Sequence, residues 1–385
     1  MHQFHILQHK FSKMAVLPAV VLTVVLGLSA CGSGDRTAEA DANSGNAVQQ
    51  IENDLTFSNI TLEQADDSGA MLWKVTAREA TYNEDQQVAN VASPSGELFD
   101  AGQPIYRVKA QRGVVQQDGE KILLKGKVEA VDLKSKAVLT GDELEWIPKD
   151  GVLIVRNNLK GEHAQVRATA NEARLYNKDR RMELIGQVNA VTKDPALIFQ
   201  GERLVWRIDD ERIVSDRPVQ ITRVINDRVS DVALSQKATV ELKTKVATLQ
   251  DSAQVVTSDP PMQVNSPVLI WNLEQETINS NQPLTIVLRQ QMIVLSSNRG
   301  NLNMRSRMAF LNGNVQAVAQ RDRSLLRSNA LTWNMATRDI VAEGNVDYRQ
   351  ADPPLMVKGP RAVGRLENQT VVMSGGRVVT EIIPR

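Results

Sequence analysis

Apolar and polar positions alternate along most of the chain after Leu55. In residues 71–80, MLWKVTAREA, the side chains of Met71, Trp73, Val75 and Ala77 share one face of an extended chain, and Leu124, Gly126, Val128 and Ala130 repeat the arrangement. Polar turns such as QDGEK, NKDR and ENQT interrupt the alternation, so the pattern predicts strands of about ten residues joined by tight turns. Residues 55–64 alternate less cleanly around Phe57 and Ile60. No helix is expected after the first thirty residues.

The alternation is itself periodic. A small residue, two free positions and a further small or apolar residue mark a unit that starts at Ala77, Ala110, Gly141, Ala170, Gly201, Ser235, Ser266, Ser297, Ser328 and Gly359, with spacings of 33, 31, 29, 31, 34, 31, 31, 31 and 31 residues. Such regular self-similarity is the signature of a stacked repeat architecture. Trp146, Trp206, Trp271 and Trp333 each follow a unit start by five residues and lie 60, 65 and 62 residues apart. Gly126, Gly186, Asp251 and Gly313 precede them by twenty residues, and Asn158, Pro218, Pro283 and Asn345 follow by twelve. The full repeat is therefore about sixty residues in two unequal halves.

Two strands per unit give roughly twenty strands plus a few at the start, folded as two facing sheets about ten strands long, or about 50 Å. The small positions mark where the sheets converge or a strand bends, and the Leu and Trp positions fill the space between. The two ends of such a body are open strand edges. The carboxy-terminal VVMSGGRVVTEIIPR, with Gly375 and Gly376 marking a bulge or an unfixed register, suits addition of a strand from another molecule.

The amino terminus departs from the pattern. Lys10 and Lys13 precede an apolar run over residues 14–30 that ends Leu28-Ser29-Ala30-Cys31-Gly32, which resembles a bacterial lipobox; residues 1–30 then form a signal peptide and Cys31 is lipidated. The alternative is an uncleaved anchor, although the run is short against the roughly twenty residues a bilayer requires. Residues 31–50 read as a flexible linker of roughly 25 Å mean reach. Cys31 is the one cysteine in the chain, so no disulfide framework exists.

Aromatic residues make up 4% of the sequence, which favours a core of Val, Leu and Ala repeats, and 45 basic residues balance 45 acidic ones, leaving no footprint for nucleic acid. His2, His5 and His9 lie in the targeting segment; His163 remains, expected as an exposed loop histidine, so neither a Cys/His metal site nor a His-based catalytic triad is expected. The acidic pairs Asp66-Asp67 and Asp209-Asp210 fall in expected turns as solvated charges. No phosphate loop, dinucleotide fingerprint or calcium loop occurs, and neither an enzyme nor a cofactor is expected.

Residues 51–147 resemble the LptC family, the periplasmic component of lipopolysaccharide export. The resemblance rests on the opening strand, Gly69 with Trp73-Lys74-Val75 and Ala77, Gly96-Glu97-Leu98-Phe99, Ala110, Leu124-x-Gly126-x-Val128 and Leu144-x-Trp146. Beyond it, Leu184-x-Gly186-x-Val188-x-Ala190 and Leu311-x-Gly313-x-Val315-x-Ala317 resemble repeats of the related bridge protein LptA. The resemblance implies an all-β, extended antiparallel β-jellyroll of OstA/LptA type, with an LptC-like part at 51–162 continuous with LptA/OstA-like repeats at 163–385. It implies a non-enzymatic conduit that accepts lipopolysaccharide, through its lipid A acyl chains, from an inner-membrane ABC transporter docked at the amino-terminal edge. The cargo passes to an LptA-like bridge or an outer-membrane LptD-like jellyroll at the carboxy-terminal edge. Expected groove residues are Trp73, Leu124, Val128, Leu144, Trp146, Leu184, Val188, Leu204, Trp206, Leu269, Trp271, Leu311, Val315, Leu331 and Trp333. The usual family member is one short domain with a transmembrane anchor. This chain has a lipobox and more than twice that folded length, as fusion of a receiving domain to part of a bridge would produce, tethered in the periplasm, at the inner membrane. A surface or periplasmic β-solenoid acting as scaffold or adhesin is the alternative; it predicts a closed core without lipid. A polysaccharide-active parallel β-helix would need an acidic column in register, which the sequence lacks.

Overall fold

A computed structural model describes residues 55–83, 88–116, 121–321, 323–352, 354–365, 370–376 and 379–381. The signal segment, Cys31 and the linker lie outside the described residues. The unit Glu52–Arg385 contains 28 strands among its described residues, every pairing antiparallel, and no helix. The count exceeds the expected twenty-odd because several long strands are divided at a bend. Arg212–Ser215 and Val219–Ile225 are two halves of one crossing, as are Thr277–Ser280 and Leu284–Leu288.

Each long strand serves two facing leaves. In Ile122–Asp132, residues 122–125 pair with 112–115 on one side and 143–146 on the other, whereas residues 128–131 pair with 107–109 and 138–141. The break between the halves is a β-bulge. Gly126 and Lys127, with φ of 77° and 48°, stand opposite the single residue Asp142, and the bulge bends the strand from one leaf into the other. The same two-residue left-handed corner recurs at Asn157-Asn158, Gly186-Gln187, Asp251-Ser252, Gly313-Asn314 and Gly344-Asn345. Glycine, Asn and Asp tolerate this backbone best, which accounts for most of the residue types at the positions that track the tryptophans.

The small unit starts occupy the matching corners of the alternate strands. Val128 pairs with Gly141, Val188 with Gly201, Ala253 with Ser266, Val315 with Ser328 and Val346 with Gly359. A Cβ on Gly141 would lie 2.8 Å from Val155 Cγ1 and 3.0 Å from two backbone carbonyl oxygens, so the corner has room for little more than hydrogen there. Where serine takes the place, its buried hydroxyl is satisfied locally: Ser297 and Ser328 donate to the carbonyls of Arg299 and Ala330 at 3.0 and 2.9 Å.

Outward faces carry cross-strand ion pairs such as Lys109–Glu129 at 2.8 Å. On one leaf Arg156 bridges Glu145 and Glu172, and Arg174 also holds Glu172. Burial acts to raise the Glu172 carboxyl, but the hydrogen bonds from Arg156 and Arg174 outweigh it and hold the group below its usual value. Among the described residues Leu55–Ala65 pairs with one neighbour, Met71–Tyr82, and Thr370–Ser374 and Val379–Glu381 pair with Pro354–Arg365 alone. Both ends of the sheet are therefore strand edges. Gly375 and Gly376, at φ of 82° and 97°, are the last corner, between the halves of the final crossing.

Candidate functional site

The space between the leaves is lined by unbroken rows of inward side chains. One row runs by direct strand pairing through Tyr82, Ala89, Val115, Ile122, Trp146 and Leu153, then on through Leu175, Met182, Trp206, Ile213, Val240 and Ala247, to Trp271, Ile278, Leu302, Ala309, Trp333 and Ile340. Every one of these side chains is buried. Alternation places them there: each sits at an odd position between outward polar neighbours, so a one-residue slip would turn the row outward. Alanine beside Trp271 and Trp333 makes room for the indoles.

All fifteen groove residues expected from the sequence are buried in one core cluster; the least buried, Trp206 and Trp333, are 4% exposed. They do not form one line. Trp146, Trp206, Trp271 and Trp333 share a leaf, hereafter the tryptophan leaf, while Trp73 pairs with Leu98 on the facing leaf. Leu124, Leu144, Leu184, Leu204, Leu269, Leu311 and Leu331 lie two residues nearer the corner than the tryptophan row, and Val128, Val188 and Val315 line the corner itself. Across the gap Tyr106 meets Trp146 edge-on, ring centres 5.8 Å apart. The indole Nε1 atoms of Trp73, Trp146, Trp206 and Trp333 are buried without a protein acceptor.

His163 is not the exposed loop residue expected. Its imidazole is half-buried at the edge of the interior, 4.8 Å from the Trp206 ring, and burial draws it below the ordinary imidazole value. A void of about 20 Å³ lies beside the pair, so the interior here is closely packed.

Opposite the corners the leaves meet as a mouth, held by polar ties. Arg180 donates to Asp132 at 2.9 Å, Lys245 lies 3.0 Å from Asp194, and Arg307 donates to Asp259 at 2.7 Å. In each tie the acid stands on the facing leaf, at a strand end or turn, and the base in a turn of the tryptophan leaf. Lys134–Asp209 at 2.9 Å and an Asn177–Asp100 hydrogen bond strengthen the first. Asp209 is thus tied across the mouth, in contrast to the solvated turn carboxylate expected, whereas Asp66 closes its own turn by accepting from Ser68 and Ala70. The ties escaped the sequence reading because partners lie 48 to 75 residues apart. A signal was present: Asp132, Asp194 and Asp259 recur in step with the tryptophans. Among the described residues no group of three His, Cys, Asp or Glu side chains is placed to hold a metal ion. No helix among them is long and apolar enough to cross a membrane.

A family model described as lipopolysaccharide-assembly, LptC-related matches the chain twice, over residues 21–153 and 139–258. No curated protein matches it in sequence. Among solved structures, that of LptH, the LptA homologous periplasmic component of the lipopolysaccharide transport device of Pseudomonas aeruginosa, is similar over 40% of this chain and 96% of its own, at 14% identity and a TM-score of 0.21.

Proposed function

We propose that this chain, which belongs to the lipopolysaccharide-assembly, LptC-related family and so has its role in lipopolysaccharide transport, carries lipid A acyl chains between its two leaves. The observation that supports this reading best is the unbroken inward row from Tyr82 to Ile340, apolar throughout and one side chain wide on the tryptophan leaf. An interior that only had to be stable could close its mouth with apolar side chains. This one closes it with exposed or half-exposed ion pairs, each worth about 1 kcal/mol or less, which separate at little expense. The leaves then part along the mouth, the side chains that now pack one another pack acyl chains, and the corner bulges act as the hinge. Indole N–H groups without a protein acceptor fit the ester, amide and hydroxyl oxygens that such chains carry.

In this reading residues 51–162 receive the lipid and residues 163–385 extend the path. Leu55–Ala65 meets an inner-membrane transporter, and Thr370–Ser374 with Val379–Glu381 offers the next carrier an edge for strand addition. Cys31 tethers the chain at the inner membrane, on the periplasmic side.

Native mass spectrometry of the full chain titrated with lipid A tests the proposal. Saturable adducts displaced by acyl-chain competitors are expected. A mass that ignores lipid A at every concentration would leave the tryptophans as core packing and favour a scaffold.

A further inference from the structure

The unit that begins at Gly201 is the longest of the repeat, at 34 residues where 31 is the rule. Its additional residues sit at one place. The strands Val219–Ile225 and Arg228–Ser235 pair with their outer neighbours only as far as Arg223, opposite Leu197, and Asp231, opposite Thr257. Residues 224–230 continue past both neighbours as a free-standing hairpin closed by Asn226 and Asp227 at φ of 50° and 59°. Its tip exposes Ile225 and Val229, at 41% and 60%, beside an exposed Arg228. Elsewhere turns of the facing leaf end in polar residues; two large apolar side chains held in water on a projecting hairpin call for a partner.

Beside the hairpin the mouth holds a hollow of about 740 Å³. Its floor includes Trp271 and Ile278, two members of the buried inner row, so this is a place where the interior and the outside adjoin. Arginines surround it: Arg223 and Arg228 from the hairpin, Arg305 and Arg307 from the tryptophan leaf. Two are already engaged. Arg307 donates to Asp259, and Arg223 donates to the Leu273 carbonyl at 2.9 Å and faces Asp231 at 3.5 Å. Arg305 is 66% exposed and stands 3.8 Å from Glu276, too far for a hydrogen bond. Arg228 and Arg305 thus supply guanidinium groups with unfilled donor capacity on opposite sides of an apolar floor.

We propose that this hollow is a lateral portal that binds a phosphorylated acyl lipid by its head. A guanidinium matches phosphate with paired hydrogen bonds, so Arg228 and Arg305 grip the headgroup phosphates. The acyl chains pass Ile225 and Val229 and reach the inner row at Trp271, giving the path an opening along its length besides its two ends. This rests on the reading of the interior as a lipid path.

The test uses the full chain with a photocrosslinking residue in place of Val229, which is exposed and makes no core contact. Three probes are compared: diphosphoryl lipid A, the same lipid with its phosphates removed, and millimolar inorganic phosphate as competitor. Crosslinking to diphosphoryl lipid A is expected, falling about tenfold without the phosphates and about tenfold in the double variant Arg228→Gln, Arg305→Gln, with inorganic phosphate changing it less than about twofold. Both arginines project into solvent, and an unchanged unfolding midpoint checks that the variant folds. Lipid adducts by native mass spectrometry, with no crosslink at 229 or one indifferent to the arginines, would overturn the portal and leave the interior path standing. Loss of the crosslink to inorganic phosphate would assign the arginines to free phosphate instead. Absence of adducts altogether would sink the path, and the portal with it.

Discussion

Arg180 Nη1 donates to Asp132 Oδ2 at 2.9 Å across the mouth, joining a turn of the tryptophan leaf to a carboxylate that is 2% exposed. Asp132 also accepts from the backbone N–H groups of Lys134 and Ser135. Removing the guanidinium leaves a buried charge without its counterion, so Arg180→Ala is expected to destabilise the protein by about 3 kcal/mol. The double variant Arg180→Ala, Asp132→Ala should recover part of that loss. Urea unfolding of the three variants as a mutant cycle measures the coupling, and additive effects would show that the pair does not act as a unit.

The interior rows predict a contrast between faces. Trp146 is completely buried, and Trp146→Ala is expected to cost about 3–5 kcal/mol. Phe310 lies on the outer face with 42% of its surface exposed, and Phe310→Ala should cost under about 1 kcal/mol. Similar urea midpoints for the two would mean that the inner row is not the packed centre.

Corners predict a sign reversal between adjacent residues. Gly186 has φ of 76°, and a Cβ there would meet Asn171 Nδ2 at 2.6 Å; Gly186→Ala is therefore expected to destabilise by about 1–2 kcal/mol. Lys127 holds a similar backbone at φ of 48° with an exposed side chain, so Lys127→Gly should be neutral or stabilising by up to about 1 kcal/mol. Thermal unfolding of both settles whether the bulge conformation or the residue type matters.

His163 predicts a pH dependence. Burial lowers its affinity for a proton; the hydrogen bond with the Ser135 backbone and the charge of Asp132 oppose that effect, and Lys193 reinforces it. The folded value therefore lies below the unfolded one near 6.5, and the unfolded state takes up the proton first as pH falls. This contribution is full above pH 6.5 and is lost as pH falls through the folded value. His163→Gln should flatten the corresponding acid limb of the stability profile, and an NMR titration of His163 with a midpoint above 6.5 would reverse the expected sign.

Much of this was legible in the sequence because its causes are local. Small residues at the unit starts and Gly or Asn at the corners answer to backbone geometry within a few positions, and alternation sorted all fifteen candidate interior residues to the inside. The leaf assignment of Trp73 was not legible, since strand pairing near the amino terminus passes through short divided strands. Nor were the mouth ties, whose partners meet only once several intervening strands have been laid down. The odd length of the unit at Gly201 was visible as a number, but only the paired limits at Arg223 and Asp231 turn it into a projecting hairpin.

The paired corners also separate length from everything else the molecule does. Ser266 and Ser328 occupy equivalent bends, each five residues before a tryptophan, so removing residues 267–328 would splice one bend onto its counterpart with strand direction, leaf assignment and both terminal edges unchanged. In a chain whose modules touch only their neighbours, such an excision subtracts one increment of stability and one increment of reach. The protein is graduated like a tape measure, and the distance it spans can be reset by whole divisions without redrawing its ends.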